Sequence, residues 1–212
     1  MIKFTKDKYV VIKKALDKEI AILAYNYLLV KRQVHKTLLN RRDISPFDES
    51  LGTFNDAQVP GSWSCYGDIL METLLMKLKP ILEKHTKKTL IETYSYCRVY
   101  VTGNELKRHI DRPSCEISAT LNLGGDMWPI YLKNIKGVSK QVKLNPGDLL
   151  IYSGSDLEHW RDPFEKEMCG QVFFHYNDAN GMHGEQNRYD TRPHLGLPTF
   201  TKKQAKFTRH GK

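Results

Sequence analysis

Hydrophobic and polar positions divide the chain into a helical first part and a strand-rich second part. Tyr9–Ile12 is a short apolar run of strand length, and Asp17 after it is placed to cap a helix. From there Ile20, Leu23, Ala24, Tyr27, Leu28, Val34 and Leu38 recur near the 3.6-residue period, which predicts an amphipathic helix to about residue 39. His35 within it has no ligand-type partner at useful spacing and is read as a surface residue. A second stripe of Ile69, Leu70, Leu74, Leu78, Ile81 and Leu82 predicts a helix over residues 66–84, with Pro80 placed to kink it. Between the helices, residues 40–64 carry Gly, Pro, Asp, Asn and Ser without a period. A loop of that length suits a lid over a site, or else a connector packed by Phe47, Phe54 and Trp63.

From about residue 93 the pattern changes to short strands separated by turns. The run 96–101, a turn at 102–104, an alternating run at 116–123 and another strand at 128–132 follow in order, then a lysine-rich hairpin over 133–141. Asn145-Pro146-Gly147-Asp148 is a turn, 149–152 an apolar strand, 153–155 a small-residue turn and 171–176 a last strand. Residues 177–198 read as loop, with His183 and His194 away from any metal, and 199–212 as a flexible basic tail. The fold class is α+β, mainly β with N-terminal helices. At 212 residues the expectation is one domain over 1–212, with helical support and a lid-like loop in 1–90, a strand core in 91–178 and a C-terminal loop and tail in 179–212.

Composition changes this picture little. Hydrophobic residues make up 40% and charged residues 27%, ordinary for a soluble protein, and no run approaches the roughly 18 apolar residues of a membrane span. The start of the chain lacks a secretory pattern, so a cytoplasmic location is expected. Cys65, Cys97, Cys115 and Cys169 show no CxxC spacing and read as reduced, partly buried thiols. The net charge of +9 raises nucleic acid as a partner, but the lysines are spread along the helices and the two ends without interleaved aromatics, which argues against it.

The candidate chemistry sits at His109 and Asp111, two residues apart and so on one face of an extended segment. With His159, roughly fifty residues later on another strand, they make two imidazoles and one carboxylate, the facial set that holds iron(II) with positions left open. The order of strand, turn, His-x-Asp, strand, Pro-Gly-Asp turn, strand, distal His and strand across residues 90–178 resembles the 2-oxoglutarate and iron(II)-dependent oxygenases. Its pattern is nearest to their prolyl-4-hydroxylase-like branch.

That resemblance implies a double-stranded β-helix, a jelly-roll of two facing sheets buttressed by the preceding helices. It also implies Fe(II) held by His109, Asp111 and His159, 2-oxoglutarate as co-substrate and O2. The reaction is then hydroxylation of a C–H bond with release of succinate and CO2, the substrate a protein or peptide side chain such as proline, a free amino acid or another small molecule. In that branch a Lys or Arg at the start of the strand after the distal His pairs with the far carboxylate of 2-oxoglutarate. Here Met168, Cys169 and Gly170 stand at those positions. Arg161, two residues after His159 and in phase with it, is the alternative cation, and Arg98, in phase with Tyr96 and Tyr100, is a second. Tyr100 matches the place of a tyrosine that bonds the same co-substrate, and Thr120 can add a hydroxyl. Asp156 or Glu158 is expected to set the His159 tautomer, Arg112 and Glu116 to pair with each other, and His175 to be a hydrogen-bonded core histidine. Two rivals use the same residues: a non-catalytic cupin-like binding module, and a basic nucleic-acid-binding protein with steeply salt-dependent affinity.

Overall fold

A computed structural model describes residues 3–202. A short helix α1 (Phe4–Asp7) and strand β1 (Tyr9–Ile12) precede helix α2 (Lys18–Arg41), strand β2 (Trp63–Tyr66) and helix α3 (Ile69–Thr86). Then come β3 (Leu90–Val101), β4 (Leu106–His109), β5 (Ile117–Gly125), β6 (Ile130–Lys133), β7 (Ser139–Val142), β8 (Leu149–Ser153), β9 (His159–Arg161) and β10 (Met168–Asp178). One sheet has six strands in the order β1-β8-β5-β10-β3-β2, and the other four in the order β4-β9-β6-β7. Every strand pairing is antiparallel, so the sheets can carry an apolar face and a polar one.

Alternation along the large sheet sorts its side chains between two environments. Ala119, Leu121, Val172 and Phe174 join Leu28, Leu75, Leu78 and Leu82 in the main core, so α2 and α3 cover the outer face. Ser118, Thr120, Gln171 and His175 occupy the intervening positions and turn toward the small sheet. Helix α2 approaches closely because β5 and β10 supply glycine where Tyr25 passes. A Cβ at Gly124 or Gly170 would lie 2.8 or 2.4 Å from the Tyr25 ring.

Asp17 caps α2 through a 2.8 Å bond from the Glu19 amide, as the sequence indicates. The second helix starts later than its periodicity suggests. Trp63–Tyr66 is an edge strand paired with β3, and Asp68 is the cap, accepting from the Met71 amide. His35 is not a surface residue. It is 2% exposed and its Nδ1 accepts from the Trp63 indole at 3.0 Å, a partner that only the fold brings near. At the far end of the chain, Thr199–Thr201 form a turn of 3-10 helix, so the expected flexible tail is ordered there, and residues 203–212 lie outside the described part. All four cysteines are buried free thiols. No helix among the described residues is long and apolar enough to cross a membrane.

Candidate metal centre

His109 closes β4 and His159 opens β9, and the antiparallel register makes them cross-strand partners. Their rings stand side by side with centroids 4.2 Å apart. Asp111 lies two residues beyond the strand, held by a 2.8 Å bond from its amide to the Gly154 carbonyl. Its Oδ1 is 3.6 Å from His109 Nε2 and 3.5 Å from His159 Nε2. The three ligand atoms lie within 4.8 Å of one another.

Backbone carbonyls decide which ring nitrogens are free. His109 Nδ1 is 2.8 Å from the Lys107 carbonyl and His159 Nδ1 is 2.9 Å from the Leu157 carbonyl. A carbonyl only accepts, so each Nδ1 carries the proton and each Nε2 keeps its lone pair toward the cavity. The expected carboxylates do not perform this task. Asp156 accepts from the Ser153 hydroxyl, and Glu158 faces Arg108 and Lys133 at 3.6 and 3.8 Å.

Burial opposes the charge on Asp111, but the contacts with His109 and His159 outweigh it and hold the carboxyl well below the usual range. Burial likewise opposes charging of His109, and Asp111 with the Lys107 carbonyl overcomes it, so its pKa is raised. Asp111 is therefore ionised at neutral pH, and as the pH falls a second proton on His109, favoured over that on a free imidazole, competes with a cation for the freed Nε2. Ser118 fixes the other carboxylate oxygen, donating to Oδ2 at 2.8 Å. A Cβ on Gly154 would come within 2.4 Å of that same oxygen, so the turn after β8 has room only for glycine. His175 Nδ1 is 3.0 Å from the Ser118 hydroxyl, and burial pushes its pKa down to about 4, which keeps it neutral.

The centre opens into a cavity of about 390 Å³ between the sheets, walled by Tyr94, Tyr96, Arg98, Ile110, Arg112 and Phe173. The long loop reaches it. Asp56 accepts from Arg98 Nε at 2.6 Å and from the Tyr96 hydroxyl at 2.9 Å. Gln58 accepts from Arg98 Nη2 at 2.5 Å while its amide nitrogen sits 3.2 Å from His109 Nε2. Arg112 and Glu116 do not pair with each other. Arg112 grips Asp190 with two bonds of 3.0 and 2.8 Å, and Glu116 accepts from Asn177 and the Asp178 amide.

Arg161 and Arg98 are both buried, yet their surroundings differ. Arg98 already holds a carboxylate, Asp56. Arg161 is 1% exposed, donates through Nη1 to the Trp128 carbonyl at 2.5 Å, and leaves Nε and Nη2 without partners among the described residues. Burial pulls its pKa below the ordinary value, with only Tyr100, Cys169 and Tyr152 to counter the effect. A buried guanidinium with two idle donors is costly, and its fork matches a carboxylate. On β9 it follows His159 by two residues, about 7 Å along the strand and on the same face. That spacing suits a five-carbon diacid chelating a metal at one end. Tyr100 is fully buried and packs edge-on against Trp128, and Thr120 bonds Gln171 at 3.4 Å.

The sequence reading missed Tyr152, whose hydroxyl is 3.5 Å from His159 Nε2, together with Asp56, Gln58 and Ser118. Ser118 was legible in principle, because polar residues at 118, 120 and 122 interrupt an apolar strand every second position. The loop residues carried no such signal.

No family model and no curated protein matches the sequence. Solved structures match the backbone. A Pseudomonas putida prolyl-4-hydroxylase aligns with TM-score 0.59 and 14% identity, over 81% of this chain and 94% of that one. HygX from Streptomyces hygroscopicus, with nickel, 2-oxoglutarate and hygromycin B bound, aligns with TM-score 0.56 and 12% identity, over 86% and 89%. A Trichoplax adhaerens prolyl hydroxylase in complex with a hypoxia inducible factor peptide fragment aligns with TM-score 0.55 and 15% identity, over 82% and 86%. The chain therefore has the double-stranded β-helix fold of these structures.

Proposed function

We propose that the protein is an Fe(II)- and 2-oxoglutarate-dependent dioxygenase that hydroxylates a C–H bond of a peptidyl or free amino acid such as proline, releasing succinate and CO2. The observation that carries this reading is one strand, β9, that presents a metal-ready imidazole at His159 and an orphaned guanidinium at Arg161. His109, Asp111 and His159 fit the metal because all three donors are converging and unprotonated at the ligating atom. Arg161 fits the far carboxylate of 2-oxoglutarate, with Tyr100 near it and Thr120 of β5 offered as a further hydroxyl. When bound, iron, 2-oxoglutarate and O2 supply the oxidising chemistry.

The remaining steps belong to the chain. Ser118 keeps Asp111 turned to the centre, and the two carbonyl-anchored histidines hold their tautomers without solvent reorganisation. Asp56 and Gln58, fastened by Arg98, bring the 42–62 loop over the mouth and narrow access for water. Arg112, held by Asp190 and stacked 4.7 Å over the Tyr94 ring, forms a rigid polar wall where a substrate would lie. The likeness to a prolyl-4-hydroxylase and to a peptide-bound prolyl hydroxylase supports the peptidyl substrate, and that to HygX with hygromycin B bound supports a small molecule. A cupin-like binding module accounts for the fold but does not call for a metal-ready imidazole and an unpaired guanidinium on one strand.

Anaerobic titration of the Fe(II)-loaded protein with 2-oxoglutarate tests the reading. A weak visible charge-transfer band is expected with the wild type and its loss with His109→Ala. A folded, iron-loaded wild type that gives no band overturns the assignment and leaves the binding module in its place.

A further inference from the structure

Helix α2 carries more apolar surface than its own fold uses. Ala21, Ala24, Leu28 and His35 form its buried face. Ile20, Leu23, Tyr27, Val30 and Val34 are 40, 67, 37, 64 and 43% exposed. These five are spaced by three and four residues in alternation, so at 100° per residue they fall within an arc of about 80°, roughly a third of a turn away from the buried face. That 3-4 alternation is the seam by which one helix packs along another. Ile69, 72% exposed, widens the patch, because its neighbour Asp68 accepts from the Tyr27 hydroxyl at 2.8 Å and from Lys31 at 2.6 Å.

We propose that this face of α2 pairs antiparallel with the same face of a second copy of the chain, forming a homodimer. A twofold axis between Tyr27 and Val30 sets Leu23 against the partner's Val34, Tyr27 against the partner's Val30, and Ile20 against the partner's Thr37. The spacing is thus complementary to itself. Charge selects the direction. Asp17, Lys18 and Glu19 leave the start of the helix net negative, and Lys36, Arg41 and Arg42 against Asp43, which pairs with Arg41, leave its end net positive. Of these only Glu19 and Arg41 lie beside the seam, so antiparallel pairing brings opposite charges and opposed helix dipoles together, whereas parallel pairing joins like ones.

A membrane surface is a poorer occupant. The solvent flank of the seam carries Glu19, Asn26 and Gln33, without the basic border that draws a helix to anionic lipid, and Lys31 on the other flank is tied to Asp68. The helix lies over β5 and β10 on the outer face of the large sheet, and the metal cavity is on the other, so pairing leaves the cavity mouth free. A single pair of helices about 36 Å long is at the small end of stable interfaces, so the dimer dissociates in the micromolar range.

Sedimentation velocity over roughly 1–200 µM protein reads the outcome. The wild type is expected to rise from 24.6 kDa to twice that mass, and Val30→Asp to stay at 24.6 kDa with unchanged circular dichroism and unchanged Co(II) binding. Glu19→Arg and Arg41→Glu each weaken association, and the two together restore it, which identifies the antiparallel arrangement even if Val30→Asp folds poorly. A wild type that is monomeric at the highest concentration overturns the proposal, and so does a folded Val30→Asp that dimerises as before. Monomeric protein that co-sediments with phosphatidylserine vesicles and loses this with Val30→Asp assigns the face to membrane instead.

Discussion

At the scale of single residues, the centre is built from groups that are each satisfied except one. Both metal-facing histidines donate to carbonyls and Asp111 accepts from Ser118, but Arg161 keeps two buried donors idle. Arg32 Nε, Ser95 Oγ, Asn122 Oδ1 and Asn177 Oδ1 are single buried atoms without partners, but among the described residues only Arg161 leaves two donors of one buried cation unpaired, and such a violation is where function is expected. It also separates two measurements that usually move together. Arg161→Met is expected to weaken 2-oxoglutarate binding by at least about tenfold while leaving metal affinity unchanged. The same change should leave the ligand-free protein as stable or more so, since an uncompensated buried charge is removed. Isothermal titration and urea denaturation of the same preparation check both halves, and unchanged 2-oxoglutarate affinity would remove Arg161 from the site.

At the scale of elements, α2 and α3 are joined through Asp68. Its carboxylate caps α3 at the Met71 amide and accepts from Tyr27 and Lys31 of α2, with the Asp68 side chain 1% and Lys31 15% exposed. Asp68→Ala removes the cap and strands a mostly buried ammonium, so a loss of about 2–4 kcal/mol is expected, read as a lower urea midpoint with the m-value preserved. The strands of the small sheet are short, four residues in β4 and three in β9, yet their register carries the site. A slip of one residue would turn His159 and Arg161 away together, because they share a face.

At the scale of the molecule, the proposed metal site joins segments distant in sequence. His109 and Asp111 come from one edge of the small sheet and His159 from the neighbouring strand, while Gly154 and Ser118 hold the carboxylate from the large one. Binding at a hundred times Kd stabilises the folded state by about 2.7 kcal/mol, which for a chain of this size raises the thermal midpoint by roughly 5–10 °C. Calorimetry with Co(II) should show this shift in the wild type and lose it in His109→Ala. A second pair acts at the same scale: Arg192 and Glu72, both buried and 2.7 Å apart, fasten the chain after β10 to α3.

Local pattern indicated α2 and α3, most of the strands and the His109–Asp111 pair, whereas His159, roughly fifty residues on, was reached only through the order of strands and turns that carries the family resemblance. A period of 3.6 or 2 and a two-residue His-x-Asp spacing are properties of neighbours in the chain, set by backbone geometry before any tertiary contact forms. The choice between Arg98 and Arg161 was open at that level, since both lie in phase with site residues. Only the fold showed that Asp56 neutralises one and leaves the other bare. The burial of His35 against Trp63, the Arg112–Asp190 pair and the arrival of Gln58 at His109 were likewise decided by tertiary structure. Each joins residues 28 to 78 positions apart. Contacts at such separations depend on how loops close and sheets stack, for which a sequence carries no short-range signal.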